Sequence, residues 1–320
     1  MQYRTLGTSD LKVSVIGLGC NNFGGRADLE TTRKIVHHAI DAGITHFDTA
    51  DVYGGQGKSE EFLGQVLGPR RKDIVLATKF GIAFDEAGTM KGASRKYIMT
   101  AVEGSLKRLK TDYIDLYYQH RPDPSVAIEE SLRALDDLVK QGKVRYIGNS
   151  NFSGKQIAEA DDAAKRLGLT RFVCAQDELS LIKRGTETER VPAVERCELS
   201  LVPYFPLASG LLTGKYKRGI PMPEGTRLAG KNRLSDVFVN EENLELTYQI
   251  GDFCTRRKLY MLDVAFGWLL AKPYVASVIA GAVKTEQIDQ NVKAADVKLA
   301  AADIAELDKI TSRALASQPH

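Results

Sequence analysis

Thr45-His46-Phe47-Asp48-Thr49-Ala50-Asp51-Val52-Tyr53-Gly54 reads as a short buried strand that runs out into a polar turn. The strand ends on a carboxylate, Asp48, and five residues later the turn presents a phenol, Tyr53. A packed strand needs neither group, and burying either without a partner is costly. Partly wet positions with partners are therefore expected for both.

Outward from this stretch the chain alternates regularly. Tyr3–Leu6, a Gly7–Asp10 turn and Leu11–Ser14 read as a β-hairpin. Strands are expected at Val15–Gly19, His46–Ala50, Ile74–Lys79, Ile114–His120, Arg145–Ser150, Phe172–Gln176, Leu199–Tyr204 and Val275–Ile279. Helical spacing or helix-start signals lie between them at Thr31–Ala42, Ser59–Leu67 (Ser59 as N-cap), Ser94–Lys110, Ser125–Gln141 and Ser153–Leu167. Eight largely apolar strands separated by helices imply a parallel sheet covered on both faces. In 320 residues that favours an α/β fold of the (β/α)8 TIM-barrel type, one domain over 1–320, with the hairpin capping the bottom. Two long segments, Gly81–Ala93 and Leu207–Asn240, follow carboxyl ends of strands, the face where barrels keep their chemistry.

Composition excludes several classes. The chain is 43% hydrophobic and 27% charged with a net charge of +3, an ordinary globular balance without a basic block for nucleic acid or a membrane surface. Its most apolar run, Met261–Ala271, is far too short to span a bilayer. Cys20, Cys174, Cys197 and Cys254 are scattered, without metal spacing, as expected of reduced thiols in a cytoplasm. The N-terminus lacks the apolar core of a signal peptide. A monomer or weak homo-oligomer is expected. Gly57-Lys58-Ser59 ends like a P-loop, but the required first glycine is Val52; Gly17-Leu18-Gly19 lacks a third glycine because Asn22 stands there. His37 and His38 read as surface residues, Arg121 as a surface or phosphate-facing residue, His46, Asn149 and Trp268 as packing, and Asp51 as a turn residue.

Asp48, Lys79, His120, Ser150, Gln176 and Tyr204 each fall at or beside the carboxyl end of a separate strand, and a barrel brings those ends into one ring. A polar residue at a strand end can simply mark the start of a loop. Here the types are complementary. A phenol is a poor acid at neutral pH, and a nearby ammonium stabilises its conjugate base. Asp48 would keep Lys79 charged in a buried place, and His120 could orient a carbonyl oxygen. The set suits a carbonyl oxygen that gains negative charge and then a proton, the hydride coming from a nicotinamide cofactor.

The chain resembles the aldo-keto reductases over essentially its full length, in particular bacterial members related to potassium-channel beta subunits. The motifs are Phe47-Asp48-Thr49-Ala50-Asp51-Val52-Tyr53-Gly54, Ala77-Thr78-Lys79-Phe80, Gln119-His120, Gly148-Asn149-Ser150-Asn151-Phe152, Gln176, and Tyr204-Phe205-Pro206-Leu207 running into Gly210-Leu211-Leu212-Thr213-Gly214-Lys215-Tyr216. The resemblance implies a (β/α)8 barrel, NADP(H)-dependent reduction of aldehydes or ketones, and a catalytic tetrad of Asp48, Tyr53, Lys79 and His120. It implies Ser150, Asn151 and Gln176 at the nicotinamide carboxamide, Asp48 nearby, Tyr204 stacked on the ring, and Gly19, Cys20 and Asn21 beside it. Phe205, Pro206, Leu207, Gly210, Leu212 and Lys215 would follow the pyrophosphate, and Gly281, Ala282, Lys284, Gln287 and Asn291 the adenosine end. Many members have a lysine and an arginine where this chain has Gly281 and Gln287, and only Lys284 offers a cation there; this weakens the preference for NADP(H) without removing it, so NADP(H) stays favoured and NAD(H) open. Leu179 replaces a common tyrosine as a packing change. Asn22, Phe23, Phe80, Tyr53 and His120 are the expected substrate wall. Two other functions are compatible with the same residues: a cofactor-binding redox sensor with little turnover, and a Schiff-base lyase using Lys79.

Overall fold

The computed structural model describes residues 1–230 and 232–316. Ten strands form two sheets. Strands β1 (Tyr3–Thr5) and β2 (Lys12–Ser14) make the antiparallel hairpin. The other eight are parallel: β3 (Ile16–Gly19), β4 (His46–Asp48), β5 (Val75–Phe80), β6 (Ile114–Gln119), β7 (Val144–Ser150), β8 (Phe172–Gln176), β9 (Ser200–Leu201) and β10 (Val278–Gly281). Neighbours in the sheet run β3 to β9 in chain order, with β10 beside β3. A parallel bridge between Leu201 and Val275, and a 2.9 Å bond from Ile279 N to Pro203 O, join the two edges. The fold is the expected (β/α)8 barrel with helices outside.

Two apolar layers hold it. One lies between strands and helices and includes Phe47, Leu76, Ile114, Leu135 and Trp268. The other fills the barrel, where Leu6 and Val13 of the hairpin pack against Ala77, Leu116, Tyr118, Cys174 and Val202. Arg4 anchors this plug by donating to Val275 O (2.6 Å) and Leu270 O (2.7 Å). The hairpin thus closes the bottom as expected. His46 is a barrel-packing residue, with Nδ1 3.0 Å from Ser277 Oγ, and burial drives its pKa down to about 4. Leu179 is fully buried in the core.

The helix starts are where local chemistry differs from expectation. Ser94 and Ser153 cap helices Arg95–Leu109 and Gly154–Leu167. Ser59, the expected N-cap, does not cap its helix. The helix runs Lys58–Val66 with Gly57 as N-cap at φ 84, and no side chain caps it. Ser59 instead lies buried inside the first turn, donating to Cys20 O (2.8 Å) and sharing a 2.8 Å bond with Thr49 Oγ1. It ties the turn of interest to the end of β3. The last two barrel strands are also shifted or shortened: β9 is two residues long and β10 begins at Val278 rather than Val275. The long stretch after β9 carries helices Arg233–Phe238, Glu241–Arg257 and Met261–Leu270. Among the described residues no helix is long and apolar enough to cross a membrane.

Candidate active site

The register sets the site. Gly19 pairs with Asp48, Asp48 with Ala77, Lys79 with Tyr118, and Ser150 with Gln176, so these strands end at one level. The turn after β4 continues the ladder for two more bonds, Thr49 N to Ala77 O (2.9 Å) and Asp51 N to Lys79 O (3.1 Å). Tyr53 N then bonds Ala50 O (3.1 Å) and Ser59 N bonds Tyr53 O (3.0 Å). Gly54 sits at φ 74, and a Cβ there would lie 2.3 Å from Phe23 O. Only glycine lets the turn leave Tyr53 pointing back over the barrel.

Lys79 is fully buried and Asp48 nearly so. Lys79 Nζ donates to Asp48 Oδ1 (2.5 Å), Thr49 O (2.9 Å) and Tyr53 Oη (3.4 Å). Gln176 Nε2 donates to Asp48 Oδ2 (2.8 Å). The Tyr53 and His120 rings meet edge-on, 5.8 Å between centroids. The four groups expected to act together are together.

Their electrostatics follow. Burial alone would pull the Lys79 ammonium down, but Asp48, and Tyr53 after it, more than offset this and hold its pKa above the ordinary value. Burial pushes the Tyr53 phenol up, Lys79 pulls it back, and Asp48 opposes Lys79; the net direction is up. From the sequence, a phenol made more acidic by Lys79 is expected. The structure gives one kept fully protonated, with a cation waiting for negative charge. Burial, then Lys79 and Arg121, drive His120 well below its usual value, so it is a neutral imidazole with one N–H to donate.

Asp48, Tyr53, His120 and Gln176 wall an open cavity of about 830 Å³, with Lys79 buried behind them. Of the expected contact residues, Gly19, Asn21, Asn22, Ser150, Asn151 and Gln176 line it, as do Tyr204, Phe205, Pro206, Leu207, Gly210 and Lys215, with Gly281, Lys284 and Gln287 at the far end. Asn151, at φ 61, is a hub. Its Nδ2 donates to His120 O and Ser150 Oγ (both 3.0 Å), and Tyr204 Oη donates to its Oδ1 (2.8 Å). Behind it the Asp177 carboxylate accepts from Asn151 N at 3.1 Å, and Arg190 stands 3.4 Å from the same oxygen.

Other expected contacts lie outside the wall. Phe23 and Phe80 are fully buried core residues, Phe80 against Tyr117 at 4.9 Å between centroids. Cys20, Leu212, Ala282 and Asn291 are buried behind it as well, and Gln287 Oε1 accepts from Val283 N and Lys284 N, capping its own helix. Residues not anticipated take their place: Arg26, Ser209, Arg227, Arg233, Val237 and Phe238. Most sit in the long segment after β9, where no period in the sequence assigns a face. Lys231, inside that segment, lies outside the described residues. A second depression, about 870 Å³ and shallow, lies at the amino-end rim between Arg71, Tyr113 and Lys143 and holds none of these groups.

A nicotinamide dinucleotide fits this donor set. Ser209 Oγ is buried, has no hydrogen-bond partner among the described residues and lines the cavity. Gly210, at φ 109, opens the backbone beside Lys215. Lys284 stands at the N-cap of helix Thr285–Ala294, where free N–H groups favour phosphate.

A parallel barrel with a Tyr–Lys–Asp–His site at its carboxyl face defines a class of carbonyl oxidoreductases. The chain belongs to the Aldo/keto reductase family, whose sequence pattern matches residues 15–312. It is similar to a probable voltage-gated potassium channel subunit beta of Arabidopsis thaliana, 39% identical over 305 residues, covering 93% of this chain and 92% of that one. A probable voltage-gated potassium channel subunit beta of rice is 37% identical over 303 residues with the same coverage. The L-glyceraldehyde 3-phosphate reductase of Escherichia coli is 32% identical over 322 residues, covering 97% of this chain and 92% of that protein.

Proposed function

We propose that the chain is an NADP(H)-dependent reductase of small aldehydes or ketones, with Tyr53 the proton donor. The observation that carries this reading is the buried Lys79 ammonium bonded to both Asp48 and Tyr53 at the wall of the cavity. The cavity would hold a reduced nicotinamide between Ser150, Asn151, Gln176 and Tyr204, and that group would supply the two-electron hydride equivalent to the carbonyl carbon. Tyr53 gives its proton to the carbonyl oxygen, and Lys79 stabilises the phenolate that remains until solvent returns a proton. His120, neutral, donates a hydrogen bond to the same oxygen. Asp48 transfers no proton; it holds Lys79 charged.

Lys79 as a Schiff-base nucleophile is disfavoured, because an ammonium with a raised pKa and a carboxylate partner keeps no free lone pair. NADPH is the favoured cofactor because the cavity lining is rich in cations. The experiment is Tyr53→Phe assayed on a panel of aldehydes with NADPH and NADH. Reduction should fall by at least about 10³-fold, in the range for loss of a positioned proton donor, with NADPH affinity retained; undiminished turnover would reject the assignment. The likeness to channel subunits supports a second reading, a redox sensor. Tight NADPH binding by the wild type with negligible turnover across the panel would favour it.

A further inference from the structure

The cavity is far more basic than its chemistry requires. Its wall carries Arg26, Arg121, Lys215, Arg227, Arg233 and Lys284, and among the described residues Asp48 is its only carboxylate. Asp48 is already paired with Lys79. None of the six cations makes an ion pair with any described residue, although such pairs are common elsewhere among the described residues.

The six divide by position. Arg26, Lys215 and Arg227 form one group: the Arg26 charge acts on both of the others, adding to burial in lowering their pKa values, and Arg227 also lies over the Phe205 ring. This group flanks the Phe205–Gly210 stretch. Lys284 is at the far end, on its helix N-cap. NADPH brings about two charges on its pyrophosphate and about 1.5 to 2 on its 2′-phosphate, which these four residues match. Arg121 and Arg233 are left over. Arg121 follows His120 directly, its carbonyl is pinned by Gln119 Nε2 at 3.1 Å, and its charge is felt by the His120 imidazole. Arg233 begins the Arg233–Phe238 helix, whose Leu234, Val237 and Phe238 also line the cavity. A neutral aldehyde would leave both unmatched.

Resting on the reductase reading, we propose that the substrate is a phosphorylated aldehyde, with its phosphate monoester held by Arg121 and Arg233 while its carbonyl lies at Tyr53 and His120. Two guanidiniums suit a dianion through paired N–H···O bonds.

The test compares glyceraldehyde 3-phosphate with glyceraldehyde, using NADPH, in the wild type and in Arg121→Gln and Arg233→Gln. Glycerol 3-phosphate and glycerol are titrated calorimetrically into the wild-type and variant complexes with NADP+. The wild type should prefer the phosphate ester in kcat/KM by at least about 100-fold, and each substitution should reduce that preference by at least about tenfold. The NADPH dissociation constant, read from its fluorescence, should move by less than about twofold, well short of a lost charged contact. A wild-type ratio near one overturns the proposal and leaves the reductase reading standing. A ratio that survives both substitutions, or an NADPH constant that rises in step with its loss, also overturns it. Preference for the carboxylated succinic semialdehyde over the phosphate ester overturns the phosphate assignment. If neither aldehyde is reduced but glycerol 3-phosphate still binds through the two arginines, the reductase reading fails and the anion subsite stands.

Discussion

One turn, Asp48 to Gly54, separates two buried acidic regions that behave in opposite ways. On the cavity side Asp48 has a cation to itself: Lys79 at 2.5 Å on one oxygen and the Gln176 amide at 2.8 Å on the other. On the side facing helices Lys58–Val66 and Arg95–Leu109, two carboxyls share one guanidinium. Glu60 takes it, accepting from Arg108 Nε (2.7 Å) and from Thr78 Oγ1 (2.5 Å). Asp51 is as buried as Asp48, but among the described residues its oxygens lack a well-formed hydrogen bond, its electrostatic neighbours being Glu60, Arg108 and the Tyr97 phenol. Burial first, then the Glu60 charge, push Asp51 up to about 8, so it is a neutral acid at pH 7. Three residues apart, the same side chain is a working anion in one place and a protonated filler in the other. The number of cations within reach decides which.

The largest effect should come from removing the cation on the cavity side. Lys79→Met leaves Asp48 buried and uncompensated, which costs about 3–5 kcal/mol of stability. Chemical denaturation at pH 7 measures it. Lys79→Met with Asp48→Asn should recover most of that loss while activity stays lost. If the double variant is no more stable than the single one, the pairing account of Asp48 is wrong.

The helix side gives a pH effect instead. Asp51 has a folded pKa near 8 and an unfolded one near 3.9. A raised carboxyl pKa means that the folded state binds the proton more tightly. Below about pH 4 both states are protonated and nothing is lost. As pH rises from there to about 8 the unfolded state gains stability by ionising, by at most about 1.4 kcal/mol per unit, and beyond about 8 the loss is constant. Asp177, raised to about 7 by burial, adds to the same slope. Asp51→Asn should therefore lose less stability between pH 5 and pH 8 than the wild type, by about 1–3 kcal/mol, with little change in turnover. Equal slopes would mean that Asp51 is ionised and partnered in solution.

This contrast explains what could be read before the structure. The strand ends, the hairpin and the grouping of Asp48, Tyr53, Lys79 and His120 are legible because strand periodicity and complementary types at six separated strand ends reinforce one another. Asp51 was read as a turn residue because nothing local says that Arg108, from a helix nearly sixty residues on, would be claimed by Glu60. Ser59 has the composition of an N-cap, yet Gly57 has the backbone freedom to cap the helix two residues earlier, and Ser59 serves better inside. Phe23 and Phe80 are aromatic residues near strand ends, and only packing distinguishes a pocket wall from the core behind it. The cations of the Leu207–Asn240 segment have no repeat to orient them; the fold alone turns Arg227 and Arg233 toward the cavity.

The smallest expected effect tests how finely the cavity side is tuned. Tyr204 Oη donates to Asn151 Oδ1 at 2.8 Å, and the same amide donates to His120 O and Ser150 Oγ. Tyr204→Phe keeps the ring and removes one neutral hydrogen bond, a net loss of about 1 kcal/mol. Because Asn151 ties the Tyr204 ring to the backbone of His120, two groups that we propose hold the cofactor and orient the carbonyl, the loss should appear in function rather than in folding. The NADPH dissociation constant should rise by about three- to tenfold, the equivalent of that energy, while the thermal midpoint moves little. A lowered midpoint with unchanged NADPH affinity would make this bond part of the packing, as inert toward ligand as the Glu60–Arg108 pair on the other side of the turn.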